Sequence, residues 1–514
     1  MLSKILDCTL RDGGYYTQWD FDKELVNVYF KSFDELPVEY LEIGYRSKPM
    51  GGYLGEYFYC PEYVLHAAKE NSAKKLVIIL NEKDVKAGDA KELLSPCIGY
   101  ITMVRLAIDP ANFKRALVLA EEVKKLGFEV GFNVMYMSNW KQYADFLDLI
   151  PEVGGIANYF YMVDSFGGVY PEDVKNTYEL VKSKTDVKIG FHGHNNLELG
   201  LINTLTALDC GADMVDATVT GMGRGAGNLK TELLLTALNS RSGLDVNFNA
   251  LGLVTDAFVS LQQRYEWGTN LPYMVSGANS LPQKDVMEWV TKRFYSFNSI
   301  IRALQNQKEA KKDNQKLPEF ESSQKFKNAL IVGGGPSANS HSSAIKEFLN
   351  KNPDTAIIYA SSRNAKYFQN LKNTQYFCLI GSEGQRLESV LSELTGFTAD
   401  CILPPFPRKM GTYIPQQLEG KTHELVSFSK EVIAEDSPTI LAFELAKKMH
   451  VQNVYIVGYD GYSDELMGEK EKALFAENDE VFDNYISDFD KLESLTPTKY
   501  KNLDVHSVYS LLVE

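Results

Sequence analysis

Two histidines stand two residues apart in Phe191-His192-Gly193-His194-Asn195-Asn196, directly after the apolar run 187–191. Residues i and i+2 of a strand end point to the same side. Imidazole is the commonest metal-binding side chain, so the pair is a candidate metal site. An H-x-H alone is more often a polar turn, and its company is what raises it. Asp7-Cys8-Thr9-Leu10-Arg11-Asp12-Gly13-Gly14 follows the first β-like run, and Gly221-Met222-Gly223-Arg224-Gly225-Ala226-Gly227-Asn228 follows the last of the first half.

These groups need a scaffold that brings distant segments to one place. Residues 1–245 alternate short β-branched runs with amphipathic helical stretches. Strands are expected at 4–10, 40–44, 76–80, 101–106, 129–133, 159–164, 188–192 and 214–217. Pro61, Pro110 and Pro171 sit where a first helical turn tolerates proline, and Gly127 stops a helix. Eight strand–helix units in about 240 residues match a (β/α)8 TIM barrel, although an open doubly wound sheet gives similar local signals. A barrel places functional groups at the carboxyl ends of its strands. Arg11, Asp12, Glu42, Arg105, Asn133, Asp164, Ser165, His192, His194 and Asn228 all fall at or near such ends.

The chain has 514 residues, 53 Lys+Arg against 68 Asp+Glu, and a net charge of −15, which argues against non-specific nucleic-acid or anionic-membrane binding. Its six scattered cysteines form no C-x-x-C pair and read as apolar fillers in a reducing cytosol. No run is long and apolar enough to span a bilayer, and no export signal is visible. The expectation is a cytoplasmic protein of two or three domains.

D-C-T-L-R-D-G-G, F-H-G-H-N-N and G-M-G-R-G-A-G-N-L together resemble the DRE-TIM metallolyase superfamily. That group includes 4-hydroxy-2-oxovalerate aldolase, HMG-CoA lyase and isopropylmalate synthase. The resemblance covers roughly residues 1–300. It implies that Asp12, His192 and His194 bind a divalent metal, with Asn228 a ligand or near-ligand, and that Arg11 stabilises a developing enolate. Mixed N/O ligation favours Mn²⁺ or Mg²⁺, with Zn²⁺ or Co²⁺ as alternatives. The implied activity is a metal-dependent aldolase or lyase acting on a 2-oxo acid and an aldehyde. Arg105, Asn133 and Ser165 are the candidates for holding substrate. Relatives often read R-D-G-x-H, and Tyr15 stands at that histidine's position. Tyr15, Glu42 or a metal-bound water is the candidate acid or base. The glycine-rich segment lacks the loop cysteine of the acyl-CoA lyases. Acyl-CoA-dependent Claisen condensation stays as an alternative. The D-C-T-L-R-D-G-G-Y form resembles a branch linked with bacterial surface-carbohydrate synthesis.

Residues 246–305 read as a helical extension and 306–325 as a polar linker closed by Pro318. Residues 326–514 open a second α/β pattern, with strands at 329–332, 355–360, 376–380 and 454–457 and a helix at 439–450. Gly333-Gly334-Gly335-Pro336-Ser337 after a strand suggests an anion cradle. With the later V-G-Y-D-G, it resembles the Rossmann-like domain of hydroxymethylpterin pyrophosphokinase-like and flagellar glycosylation proteins. That resemblance implies a nucleotide or nucleotide-sugar near Gly333, Gly335, Ser337 and Asp460. The second alternative is therefore a nucleotide-sugar binder or glycosyltransferase whose C-terminal half sets the function. A homodimer is left open.

Overall fold

The computed structural model describes residues 3–513 apart from 293–294, 296, 312–314, 323, 382, 394–398, 409, 412, 432–433, 435 and 463–468. The chain divides into two compact units, Met1–Met287 and Glu288–Glu514. In the first, eight strands run β1 Lys4–Asp7, β2 Tyr40–Tyr45, β3 Lys75–Asn81, β4 Ile101–Ile108, β5 Glu129–Val134, β6 Tyr159–Asp164, β7 Lys188–Gly193 and β8 Met214–Ala217. Each pairs in parallel with the next, and β1 returns to β8 through Lys4↔Met214 to Asp7↔Ala217, which closes the barrel. The open-sheet alternative is thereby excluded.

Alternation along the strands sorts side chains into two sets. Leu6, Tyr40, Val77, Met103, Tyr159, Tyr161 and Met214 form one cluster inside the barrel. Their neighbours Ile5, Leu41, Ile78, Val104, Phe160 and Val215 join the larger core under the helices. Two residues beyond the inner Tyr40, Met103 and Met214 stand Glu42, Arg105 and Asp216, so an apolar floor carries a charged layer nearer the strand ends. That layer fits because its neighbours are small. A Cβ on Gly190 would lie 2.5 Å from the Tyr161 ring, and one on Gly131 would lie 2.8 Å from Arg105 Cγ.

The first strand is shorter than expected. It stops at Asp7 because the Asp7 carboxylate turns back to accept from the amide and hydroxyl of Thr9 at 2.9 and 2.6 Å, and Thr9–Thr17 is helical. Gly13 and Gly14 therefore lie in a helix and not in a tight turn. Their smallness still matters, since a Cβ on Gly13 would run into Met222 Sδ.

Beyond the barrel, helices Phe248–Tyr265 and Leu271–Ala278 belong to the first unit, and Phe297–Lys308 belongs to the second. Part of the stretch read as a linker (312–314 and 323) lies outside the described residues. Its end is not free chain, because Phe320 N donates to Glu424 O and Leu317 N to Glu424 Oε2.

The second unit is built on β9 Asn328–Val332, β10 Thr355–Tyr359, β11 Gln375–Cys378, β12 Asp400–Leu403, β13 Thr422–Glu424, β14 Asn453–Val457, β15 Lys491–Ser494 and β16 Asp504–Val505. These pair in parallel in the order β13-β12-β11-β10-β9-β14-β15-β16, which reverses between β9 and β14. Ala329, Ile331, Ala356 and Ile358 pack with the helix Pro438–Lys448. Leu330, Val332, Ile357 and Tyr359 pack with Ser342–Lys351. Both faces are thus covered, as a parallel sheet requires. Among the described residues, no helix is long and apolar enough to cross a membrane.

Candidate metal centre

Asp12 enters the barrel mouth from the first turns of the helix after β1, while His192 and His194 come from the end of β7. One ligand atom from each lies within 4.8 Å of the others, with His192 Nε2 3.7 Å from Asp12 Oδ2. The hydrogen bonds around the rings leave the inward nitrogens available. His192 Nδ1 is 2.9 Å from Asp216 Oδ2, and His194 Nδ1 is 2.7 Å from the Asp164 carbonyl oxygen, which fixes the proton there and leaves Nε2 as a lone pair. Asn228 Nδ2 donates to Asp12 Oδ2 at 2.6 Å, while its buried Oδ1 has no hydrogen-bond partner among the described residues. A carboxylate, two imidazoles and an orphaned amide oxygen form a donor set that fits a divalent cation.

A second grouping, Cys8, His192 and Asp216, also comes close together. Burial drives the Cys8 thiol pKa well above its ordinary value, so the thiolate a cation would need is disfavoured. Asp216 is instead a support. Burial opposes its charge, but Arg105 and His192 overcome that and hold its pKa below the usual range. Burial likewise opposes ionisation of Asp12, and the Arg11 guanidinium with the two imidazoles brings it down to about 2. His194 is lowered to about 3 by burial and by the neighbouring His192, which favours the neutral, ligating form.

The charges form a ring. Arg11 bonds Asp12 through Nη1 and Glu42 through Nε at 2.7 Å. Glu42 Oε1 lies 3.2 Å from Arg105 Nε, an ion pair not aligned as a hydrogen bond. Arg105 Nη1 reaches Asp216 Oδ2 at 2.8 Å, and Asp216 returns through His192 to Asp12. Arg105 also lies over the Tyr161 ring at 4.4 Å.

Above the ring opens a cavity of about 540 Å³, lined by Arg11, Asp12, Tyr15, Tyr45, Asn133, Tyr136, Ser165, His192, His194 and Arg224, among others. Asn133 presents a buried Oδ1 without a hydrogen-bond partner among the described residues, and Ser165 Oγ accepts from Tyr136 N at 2.9 Å. Tyr15 OH is 2.9 Å from Tyr45 OH. Two expected residues are not at the cavity surface. Arg105 and Glu42 are fully buried beneath it, so the fully buried Arg105 makes no contact with the cavity. Glu42 has both oxygens committed to guanidiniums and is corrected from a candidate base to a residue that holds Arg11. Tyr273 packs on the glycine-rich loop, where a Cβ on Gly225 would meet its ring at 2.9 Å.

Asp216, Tyr45 and Arg224 were not singled out from the sequence. The signal for Asp216 is a lone carboxylate within the otherwise apolar strand Met214–Ala217. Arg224 sits inside the glycine-rich motif 221–228, where a single arginine among four glycines reads as part of a turn.

In the second unit Gly333, Gly335, Ser337 and Asp460 do come together, but not as an anion cradle. Gly333 N donates to Val457 O and Gly335 N to Gly458 O, both at 2.8 Å, and Ser337 N donates to Asp460 Oδ2 at 2.9 Å. The amides of Gly333, Gly335 and Ser337 are thus engaged within the chain, that of Ser337 by a carboxylate.

A family profile described as HMGL-like matches residues 3–257. The oxaloacetate decarboxylase of Mycobacterium tuberculosis is 30% identical over 253 residues, covering 47% of this chain and 71% of that protein. A 4-hydroxy-2-oxovalerate aldolase of Geobacillus genomosp. 3 is 33% identical over 260 residues, covering 49% and 75%. Among solved structures, the N-terminal domain of an aldolase candidate from Bacteroides vulgatus is 57% identical, with a TM-score of 0.56, covering 58% of this chain and 99% of that one. With the closed barrel and the grouping of Asp12, His192 and His194 at its mouth, these matches establish that the chain belongs to the HMGL-like family.

Proposed function

We propose that the barrel is a divalent-metal-dependent carbon–carbon lyase that makes or breaks the bond between C3 of a 2-oxo acid and an aldehyde carbon. The observation that carries this reading is the meeting of Asp12, His192 and His194, with both imidazoles hydrogen-bonded through Nδ1 and the Asn228 oxygen without a hydrogen-bond partner among the described residues. Asp12, His192 and His194 would hold Mn²⁺ or Mg²⁺, with Asn228 beside them, and the ion would supply Lewis-acid polarisation of the 2-oxo carbonyl.

The chain's own residues do the rest. Arg11, pinned by Asp12 and Glu42, keeps a fixed positive charge where the enolate oxygen develops. Tyr15, hydrogen-bonded to Tyr45 in the cavity wall, is placed to give a proton to the new alkoxide in the forward direction and to take it back in cleavage. Asn133 and Ser165 line the substrate space. The same enolate arises by loss of carbon dioxide from oxaloacetate, the chemistry named for one relative.

The test is incubation of the full chain with Mn²⁺, pyruvate and a panel of aldehydes, with pyruvate loss followed by mass spectrometry and pyruvate formation from oxaloacetate followed in parallel. Turnover in neither direction would sink the proposal. In the His192→Ala/His194→Ala double variant, metal per chain measured by mass spectrometry should fall from about one to near zero with the circular dichroism unchanged. Retained stoichiometric metal in that variant would reject the ligand set.

The second unit reads as a Rossmann-like, doubly wound sheet. Its glycine turn offers no support for a nucleotide. A cavity of about 330 Å³ lies instead beyond the carboxyl ends of β11, β12 and β13, near Leu379, Phe406, Tyr413 and Phe428. A role in surface-carbohydrate synthesis rests on the sequence resemblance alone.

A further inference from the structure

Two guanidiniums line the barrel cavity, and they are in different states. Arg11 is bound to two carboxylates. Arg224 has its charge 4.4 Å above the centre of the Tyr15 ring and makes no side-chain hydrogen bond or ion pair among the described residues. A ring face satisfies a cation only in part and leaves the N–H fork unused. Arg224 is partly buried in the cavity wall, and its unused donors open to the cavity, where an anion can meet them. It is also held in place, because the loop that carries it is tied across by Gly227 N to Arg224 O and by Asn228 N to Gly221 O, both at 3.0 Å.

The cavity has room for this role. About 540 Å³ is far more than a three-carbon 2-oxo acid fills, and the lining continues past Tyr136 to Asn81, Asp109 and Asn112. From this we infer that Arg224 recognises an anionic group, a carboxylate or a phosphate, carried by the aldehyde acceptor at the end remote from its carbonyl. The inference rests on the lyase reading above and adds the acceptor's class to it. Tyr15 then has two duties, proton transfer at one end of the acceptor and support of the cation that grips the other.

The test compares acceptors that differ in charge, in the full chain with Mn²⁺ and pyruvate. Succinate semialdehyde presents a carboxylate remote from its carbonyl, glyceraldehyde 3-phosphate a phosphate, and butanal and glyceraldehyde neither. The wild type should favour one anionic class over its neutral counterpart by roughly 30-fold or more in kcat/KM, and the class that wins separates carboxylate from phosphate. In Arg224→Gln that ratio should fall to within about threefold of parity, and Arg224→Lys should keep part of it, since charge survives without the fork. Equal losses for charged and neutral aldehydes, or a raised pyruvate KM whatever the aldehyde, would assign Arg224 to the scaffold or the donor and overturn the inference. So would a wild type without charge preference. Exchange of the pyruvate methyl protons with D₂O, read by NMR, needs no acceptor. Its absence in the Mn²⁺-replete wild type would overturn the lyase reading and this inference with it, whereas exchange with an unchanged ratio in Arg224→Gln sinks the inference alone.

Discussion

Arg11 shows how one side chain is committed before any substrate arrives. Its fork is divided between Asp12 and Glu42, so its position is fixed by carboxylates on the helix after β1 and on β2. A lysine keeps the charge but cannot bond both groups at once. Arg11→Lys should therefore lower kcat by about 10²-fold or more while the Kd for Mn²⁺ moves by less than about tenfold. Equilibrium dialysis and steady-state rates on the same preparation decide this, and unchanged turnover would remove Arg11 from the chemistry. At this scale Arg11, Asp12, His192 and His194 were legible in the sequence, because charged residues and histidines cluster in short motifs. Asp216 was not, since a single acidic residue in a four-residue strand carries no spacing signal. Glu42 was legible as a site residue but not in its role, which depends on two partners distant in the chain.

Among the elements, β1 ends on a hub. Asp7 accepts from Thr9, from Tyr29 OH at 2.8 Å and from Thr231 Oγ1 at 2.5 Å, which ties three segments to one strand end. Burial pushes its pKa up to about 6 despite these donors. The folded state then binds a proton more readily than the unfolded chain, whose aspartate titrates near 4. The cost of the buried charge is fully present above about pH 6 and vanishes as pH falls towards about 4, a difference of at most about 3 kcal/mol. The stability advantage of the wild type over Asp7→Asn should accordingly grow as pH drops from 7 to 5 in urea titrations. A pH-independent gap would show that Asp7 titrates normally. Gly190 gives an element-scale test of another kind. Gly190→Ala should cost about 1–3 kcal/mol and weaken metal binding, because the Tyr161 ring, over which Arg105 lies, must give way. An unchanged urea midpoint would contradict this. The eight barrel strands were legible because each is a short β-branched run bounded by helix signals. By contrast β12, β13, β15 and β16 were missed. They are two to four residues long, and Lys491–Ser494 has one apolar residue among three polar ones, too little for a strand pattern.

At the scale of the whole molecule, the candidate metal centre lies in the first unit, Met1–Met287, and a relative's N-terminal domain of matching extent has been crystallised by itself. A chain ending after residue 292 should fold, bind metal and retain lyase turnover within about tenfold of the full protein, as independent domains do. Loss of the far-ultraviolet helical signal in that fragment would show that residues 1–292 do not fold unaided. The ring of alternating charges gives the barrel a further property. It runs through β2, β4, β7 and β8 and the helix that follows β1, so the seams that close the cylinder and the seat of the ion share the same side chains. Heat or protease that parts any of those seams must release the cation as well. Inactivation, metal release and melting of this unit should then follow one sigmoid, with no half-open species that still works.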